Sequence, residues 1–266
     1  MTIGFIGLGN MAGAIIRGLR KSETFAHTPI LGSDLDQSKL GTFRDEYNVR
    51  IMQDAVATAL EADVLVLAVK PQGLDALLPQ IKPVLRAAQL ILTIAAGKSL
   101  RYYAEKIGEN IPVVQIMPNV NAKVGASVSA LCANKWVTEK MMEQAKAIFS
   151  AVGTVNVLPE HLIGAFSAIG GAAPAFVYLF IDALASAGIK AGMPRALAEK
   201  IAAEMVEGSA RLVLSSNEHP RALVDQVTSP GGTTIEGVHK LAALGFEHAV
   251  HEAVKSVIDK NTALES

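Results

Sequence analysis

Six apolar residues in unbroken succession, Val64-Leu65-Val66-Leu67-Ala68-Val69, constrain the fold of this 266-residue chain more than any other feature. A run of that length without alternation marks a strand covered on both faces, as in a parallel sheet layered by helices. Leu90-Ile91-Leu92-Thr93-Ile94 and Val113-Val114-Gln115-Ile116 repeat the type, and Thr2 to Ile6 and Ile30-Leu31 open two earlier strands. Helical patterns lie between them. Asn10 to about Arg20 sets Met11, Ile15 and Leu19 on one face, and Gln37 to Tyr47 forms a second helix. Alternation at this spacing predicts βαβ units with right-handed crossovers. Thr138 caps a helix through Phe149, and Thr154 to Val157 is a last short strand.

After Pro159 the strand signals stop. Helices are expected over about Gly164 to Ala187, Pro194 to Leu214, Pro220 to Val227, and Thr234 to the C-terminus. The second carries Leu197, Ile201, Met205 and Leu212 at helical spacing, with Pro194 at its first position. The predicted architecture is therefore an α/β domain over residues 1–159 followed by an all-helical domain over 160–266.

Composition narrows the function classes. A formal net charge of −1 and a pI near 6.6, with Lys and Arg scattered, provide no electrostatic footprint for nucleic acid. The single cysteine, Cys132, excludes an internal disulfide framework and a multi-cysteine metal site. It sits in the apolar run Val128 to Ala133, where a buried thiol acts as a small hydrophobe. The six histidines are scattered, and no metal-ligand spacing is present. From Leu162 to Ile181 no residue is charged, which is the length of a membrane span. Gly164, Gly170, Gly171 and Pro174 interrupt it, and Lys/Arg and Trp/Tyr anchors are missing from its flanks. It reads instead as a buried or subunit-interface helix. The N-terminus lacks the basic and apolar regions of a signal peptide and reads as a strand, so the expectation is a cytoplasmic protein.

The chemistry sits at the strand ends. Gly7-Leu8-Gly9-Asn10-Met11-Ala12 follows the first strand and opens a helix. Gly7 permits the tight turn, Gly9 lets a pyrophosphate approach the backbone, and Ala12 keeps helix and sheet close. This is a Rossmann-type dinucleotide signature, and Gly7, Leu8, Gly9, Asn10 and Met11 are its candidate cofactor contacts. Asp34 follows the second strand, with Ser33, Gln37 and Lys39 nearby. A carboxylate there accepts ribose hydroxyls and repels a 2′-phosphate, favouring NAD(H) over NADP(H), although Lys39 can offset that charge. The other reading is that Asp34 or Asp36 caps the second helix. Ala68, Val69, Lys70 and Pro71 at the end of the fourth strand, Ala95 after the fifth, and Met117 at the end of the sixth complete the cofactor candidates. Ligands of open α/β sheets bind over such carboxyl ends. Asn119, two residues on, is a candidate for substrate contact or for holding a turn.

A second glycine-bearing helix start lies in the C-terminal part. In Thr228-Ser229-Pro230-Gly231-Gly232-Thr233-Thr234 a proline and two glycines precede a new helical pattern. The first amides of a helix lack internal partners and sit at the positive end of its dipole, and two glycines leave them open to a carboxylate or phosphate. Thr233-x-x-Glu236 also fits a capping box, which would only start the helix.

Taken together, these motifs resemble those of the pyrroline-5-carboxylate reductase family. The resemblance rests on the glycine motif with Asn10-Met11, Ala68-Val69-Lys70-Pro71, Met117-Pro118-Asn119, Pro174-Ala175-Phe176-Val177, His219-Pro220…Leu223-x-Asp225-x-Val227 and Ser229 to Ile235. It implies reduction of 1-pyrroline-5-carboxylate to proline by NADPH or NADH, with the helical domain forming a homodimer or larger ring. On this basis the amides of Gly232, Thr233 and Thr234 are expected to hold the substrate carboxylate, with Ser229 and Gly231 as further candidate contacts, and the Thr234 hydroxyl is the candidate catalytic group that hydrogen-bonds the imine or the product amine. The chain departs from the family in one place. Gly170-Gly171-Ala172-Ala173 stands where a Ser-Gly-Ser-type run precedes Pro174, so two hydroxyls are missing. Two other readings stay open: a different imine or β-hydroxyacid-type reductase, disfavoured because Leu162 to Ala187 carries no lysine, and a dinucleotide sensor without catalysis.

Overall fold

The computed structural model describes residues 1–265. Eight strands form one sheet in the order β3-β2-β1-β4-β5-β6-β7-β8. Strands β1 (Ile3–Ile6), β2 (Ile30–Ser33), β3 (Arg50–Ile51), β4 (Val64–Leu67), β5 (Leu90–Thr93) and β6 (Val113–Met117) are all parallel. The reversal of winding beside β1 places a switch point where open α/β sheets bind ligands.

Helices α1 (Asn10–Lys21), α2 (Gln37–Tyr47), α3 (Ala55–Glu61), α4 (Pro71–Ile81) and α5 (Leu100–Ile107) make the crossovers. The continuous apolar strands follow from two cores. Ile3, Phe5, Val64, Val66, Leu90 and Leu92 pack into one cluster with α1 and α2 residues such as Ile15, Leu19 and Phe43. Ile6, Leu65, Leu67 and Ile91 face the opposite cluster with Leu74, Leu78, Tyr103 and Ile107. Every residue of β1, β2, β4 and β5 is therefore buried, whichever way it points.

Two strands differ from the sequence expectation. The pair Arg50–Ile51 is too short to show a period. The segment Ser127–Ala133 (β7), rich in small and hydroxylated residues, is a strand that runs antiparallel to β6. The link from Pro118 to Ala126 is a single 3₁₀ turn, too short for a parallel crossover, so the chain must double back. Helix α6 (Glu139–Ser150), capped by Thr138, then leads to β8 (Gly153–Val157), parallel to β7.

The chain divides into two compact units, residues 1–172 with 257–266, and residues 173–256. The expected single helix from Gly164 is interrupted. Helix α7 (Ile163–Phe166) is followed by a π-helical turn over Ser167–Ala172, and α8 (Ala173–Lys190) begins after it. Then come α9 (Arg195–Ser215), α10 (Pro220–Val227), α11 (Thr233–Ala243) and α12 (Phe246–Glu265). Pro194 caps α9 rather than opening it. The last expected helix is two, because Gly245 at φ +76° breaks the run. Helices α8 and α9 pack through Ala185, Ala198 and Ala202, all small and buried. The stripe Leu197, Ile201, Met205 and Leu212, which marks the helical spacing of α9, is exposed in the protomer.

Candidate active site

The β1–α1 turn is built for a close anionic ligand. Gly7 has φ +94°, and a Cβ there would lie 2.7 Å from the Ala68 carbonyl oxygen. Its N–H donates to Ser33 O at 2.8 Å, locking the turn to the ends of both neighbouring strands. Gly9 caps α1 with no side-chain hydrogen bond, and a Cβ added there would meet no atom within 4 Å. The first amides of α1 therefore open onto free space, the condition for a pyrophosphate. Ala12 is buried beneath the turn, where a larger side chain would push α1 off the sheet. These residues fit a dinucleotide.

Asp34 stands directly after β2. Its Oδ2 accepts the Leu8 N–H at 2.6 Å and its Oδ1 accepts the Asp36 N–H at 2.8 Å. The cap of α2 is Asp36, whose Oδ1 accepts from Ser38 N at 3.1 Å and Ser38 Oγ at 2.6 Å. The capping reading thus holds for Asp36, while Asp34 ties the glycine turn to β2. Ser33 is buried, and its hydroxyl accepts from Thr58 Oγ1 at 2.8 Å.

Ala68 and Val69 line the end of β4. Lys70 is exposed as the cap of α4, and Pro71 opens that helix at its first position. Ala95 is buried after β5, and Met117 ends β6 half-buried. Asn119 is buried and fully engaged. Its N–H donates to Ser127 Oγ at 3.1 Å, its Oδ1 accepts from Asn121 N at 3.1 Å, and its Nδ2 donates to Gly170 O at 2.8 Å. Of the two readings of Asn119, these bonds describe the turn-holding one: it clamps the end of β6 to the π turn. The sequence offered a signal for this turn in the glycines at 170 and 171. A Cβ at Gly170 would lie 2.7 Å from the Phe166 ring, and one at Gly171 3.7 Å from Met117 Sδ.

In the helical unit, Gly231 has φ +67° and Gly232 N donates to Ser229 O at 3.0 Å. Gly232 is the cap of α11 and makes no side-chain cap bond. The capping box is not formed: Thr233 and Thr234 are the first two helical residues, one position too far along, with exposed side chains. A Cβ at Gly232 would sit 2.4 Å from Ser229 Oγ, so a side chain there would turn that hydroxyl aside. Ser229, Gly231, Gly232, Thr233 and Thr234 thus surround one bare helix start. His219 Nδ1 accepts the Arg221 N–H at 3.1 Å and serves as the cap of α10. Cys132 is buried, and desolvation, with a smaller push from the Glu160 charge, raises its thiol to about 11. It is a packing residue.

A Rossmann unit with an open glycine turn, followed by a helical unit with a second bare helix start, defines an NAD(P)-dependent oxidoreductase. The chain is 40% identical over 98% of its length to a pyrroline-5-carboxylate reductase of Synechocystis, covering 97% of that protein. It is 38% identical over 98% of its length to the Escherichia coli protein of the same name, of which it covers 97%. The chain belongs to the pyrroline-5-carboxylate reductase family. Residues 160–264 match the family model described as pyrroline-5-carboxylate reductase dimerisation. Residues 2–97 match the one described as NADP oxidoreductase, coenzyme F420-dependent. A pyrroline-5-carboxylate reductase structure from Coxiella burnetii superposes with a TM-score of 0.93 at 30% identity, over 99% of this chain and 98% of that one. A Plasmodium falciparum pyrroline carboxylate reductase with NADP bound superposes with a TM-score of 0.90 at 29% identity, over 100% and 98%.

Proposed function

We infer that this protein reduces 1-pyrroline-5-carboxylate to L-proline with NAD(P)H, as the last step of proline synthesis. The observation that carries the reading, within this family, is the bare start of α11, where glycines leave amides open beside two exposed threonine hydroxyls. The substrate is a cyclic imine bearing one carboxylate. The amides of Thr233 and Thr234, unpaired at the start of α11, hold that carboxylate with the helix dipole, and the Gly232 N–H joins them by giving up its bond to Ser229 O. The imine nitrogen takes its proton from solvent, and Thr234 Oγ1 hydrogen-bonds that nitrogen, orienting the ring as C=N becomes CH–NH with hydride at carbon. A nicotinamide held at this site would supply the hydride for the imine carbon. Gly7, Leu8, Gly9, Asn10 and Met11 seat the pyrophosphate, Ser33 and Asp34 lie at the adenosine end, and Ala68 to Pro71, Ala95 and Met117 line the strand ends toward the nicotinamide. Asn119 acts on this region through the turn it clamps. The working division is residues 1–159 for cofactor and 160–266 for substrate and dimerisation.

The helical stretch Glu160–Lys190 spans 31 residues, and an 18-residue window within it has a mean hydropathy of 1.7. We assign it to subunit contact rather than to a bilayer, because the π turn and two glycines interrupt it and its exposed apolar surface continues onto α9. The protein is then a cytoplasmic homo-oligomer that binds neither membrane nor nucleic acid. The test is to mix purified protein with the cyclic imine and each reduced cofactor, following nicotinamide oxidation and proline formation. No turnover with either cofactor would overturn the assignment.

A further inference from the structure

We propose that Lys123, on the turn between β6 and β7, is a further cofactor-binding residue, its ammonium the counter-ion of the dinucleotide pyrophosphate. The inference rests on the dinucleotide reading above and adds to it a residue outside the glycine signature. A groove of about 490 Å³ runs from Leu8, Gly9 and Asn10 between α1 and α2. Arg17, Lys39 and Lys123 line it, and among the described residues no aspartate or glutamate does. The three cations are not equivalent. Lys39 Nζ lies 3.6 Å from Asp34 Oδ1 and 3.4 Å from Asp36 Oδ2, so two carboxylates already answer its charge. Arg17 donates to Tyr47 Oη at 3.2 Å, and its guanidinium lies 5.8 Å from the centre of that ring. Lys123 makes no ion pair among the described residues.

The turn that carries Lys123 is fixed by its own backbone and by one anchor. Ala122 is buried in the same core as Ile15 and Ile16 of α1. Asn119 Oδ1 accepts the Asn121 N–H at 3.1 Å, Gly125 N donates to Ala122 O at 3.2 Å, and Ala126 N donates to Asn121 O at 3.1 Å. The Lys123 side chain is exposed and has no part in holding the turn. Reduced nicotinamide, adenine and the riboses are neutral, whereas each phosphate of the pyrophosphate carries a negative charge in NADH and NADPH alike. Against that charge the glycine turn offers only amides and a helix dipole, since Asn10, Met11, Ala12 and Gly13 carry no charge. An ammonium lining the same groove supplies the full charge they lack.

The test is titration of the apo protein with NADH and with NADPH, read by nicotinamide fluorescence, for the wild type, Lys123→Gln and Lys123→Arg. Lys140→Gln, at an exposed lysine of α6 outside the groove, is the control for loss of charge alone. Lys123→Gln should melt as the wild type does and weaken both dinucleotides by a similar factor, on the order of tenfold. Screening should narrow that loss as salt rises. Lys123→Arg should keep most of the affinity, and Lys140→Gln should leave both Kd values unchanged. In turnover, Lys123→Gln should raise the cofactor KM with kcat unchanged, because the pyrophosphate is the same in ground and transition states. Wild-type binding of both dinucleotides by Lys123→Gln overturns the proposal, as does an equal loss in Lys140→Gln. A loss confined to NADPH overturns it too, since that would place the ammonium at the 2′-phosphate. A wild-type protein that binds neither dinucleotide would instead remove the cofactor reading itself.

Discussion

At the scale of single residues, the two glycines of the β1–α1 turn have opposite requirements. Gly7 is needed for its backbone: φ is +94° and the Ala68 carbonyl occupies the space of a side chain. Gly9 is needed for its emptiness, since nothing in the protein lies within 4 Å of a Cβ there. Gly9→Val should therefore fold and melt like the wild type yet bind dinucleotide on the order of tenfold or more weakly. Calorimetric titration of a folded Gly9→Val protein with wild-type affinity would show the cofactor seat to be elsewhere. The helical unit offers a second residue test. Thr234→Ala removes a hydroxyl but no amide, and should lower kcat by roughly ten- to a thousandfold. Because neither Thr233 nor Thr234 caps α11, both alanine variants should melt within about 0.5 kcal/mol of wild type. The capping box would have predicted a loss near 1 kcal/mol for Thr233→Ala. A Thr234→Ala enzyme with normal kcat would leave the loop amides as the whole of the substrate site.

At the scale of elements, helix limits were legible wherever both ends carried local chemistry. Helix α2 begins after the Asp36 cap and ends at Asn48, which takes the left-handed conformation at φ +50°. Helix α10 begins at Pro220 behind the His219 cap. Limits set by distant contacts were not legible. The π turn over Ser167–Ala172 depends on Asn119 reaching Gly170 O from the end of β6, a contact 51 residues apart in the chain. The glycines that replace the family's serine-bearing run belong to this turn. Gly170→Ser would place its Cβ against the Phe166 ring and should cost about 1–3 kcal/mol through overpacking. Chemical denaturation compares it with Ala172→Ser, which should cost less. A Gly170→Ser protein as stable as wild type would mean that the ring yields and that the departure has no packing cause.

At the scale of the whole molecule, the helical unit leaves too much apolar surface uncovered to be complete as a protomer. Its internal core is three alanines flanked by Ile181 and Ile189. Leu179 is 70% exposed and Leu214 86%, alongside the Leu197, Ile201 and Met205 stripe. Contiguous apolar surface of that kind marks an association site. Ile201→Glu sets a charge in the middle of the stripe and should shift sedimentation toward the monomer. An Ile201→Glu protein that sediments as the wild type does would place the interface on another face.

What the sequence determined by itself was whatever depends on near neighbours in the chain. The doubly covered strands followed from unbroken apolar runs, the helix starts from Asp36, Thr138 and His219, and the two anion-ready turns from paired glycines. Tertiary structure decided what depends on long-range pairing. It made β7 antiparallel because its link to β6 is short, and it divided the helix after Ile163 with a π turn. It turned Asn119 inward and gave Asp34 two amide partners, Leu8 from 26 residues away and Asp36 from the next turn. It also left the apolar stripe of α9 outside, because a periodicity records that a face is buried but not whether the same chain or another copy buries it.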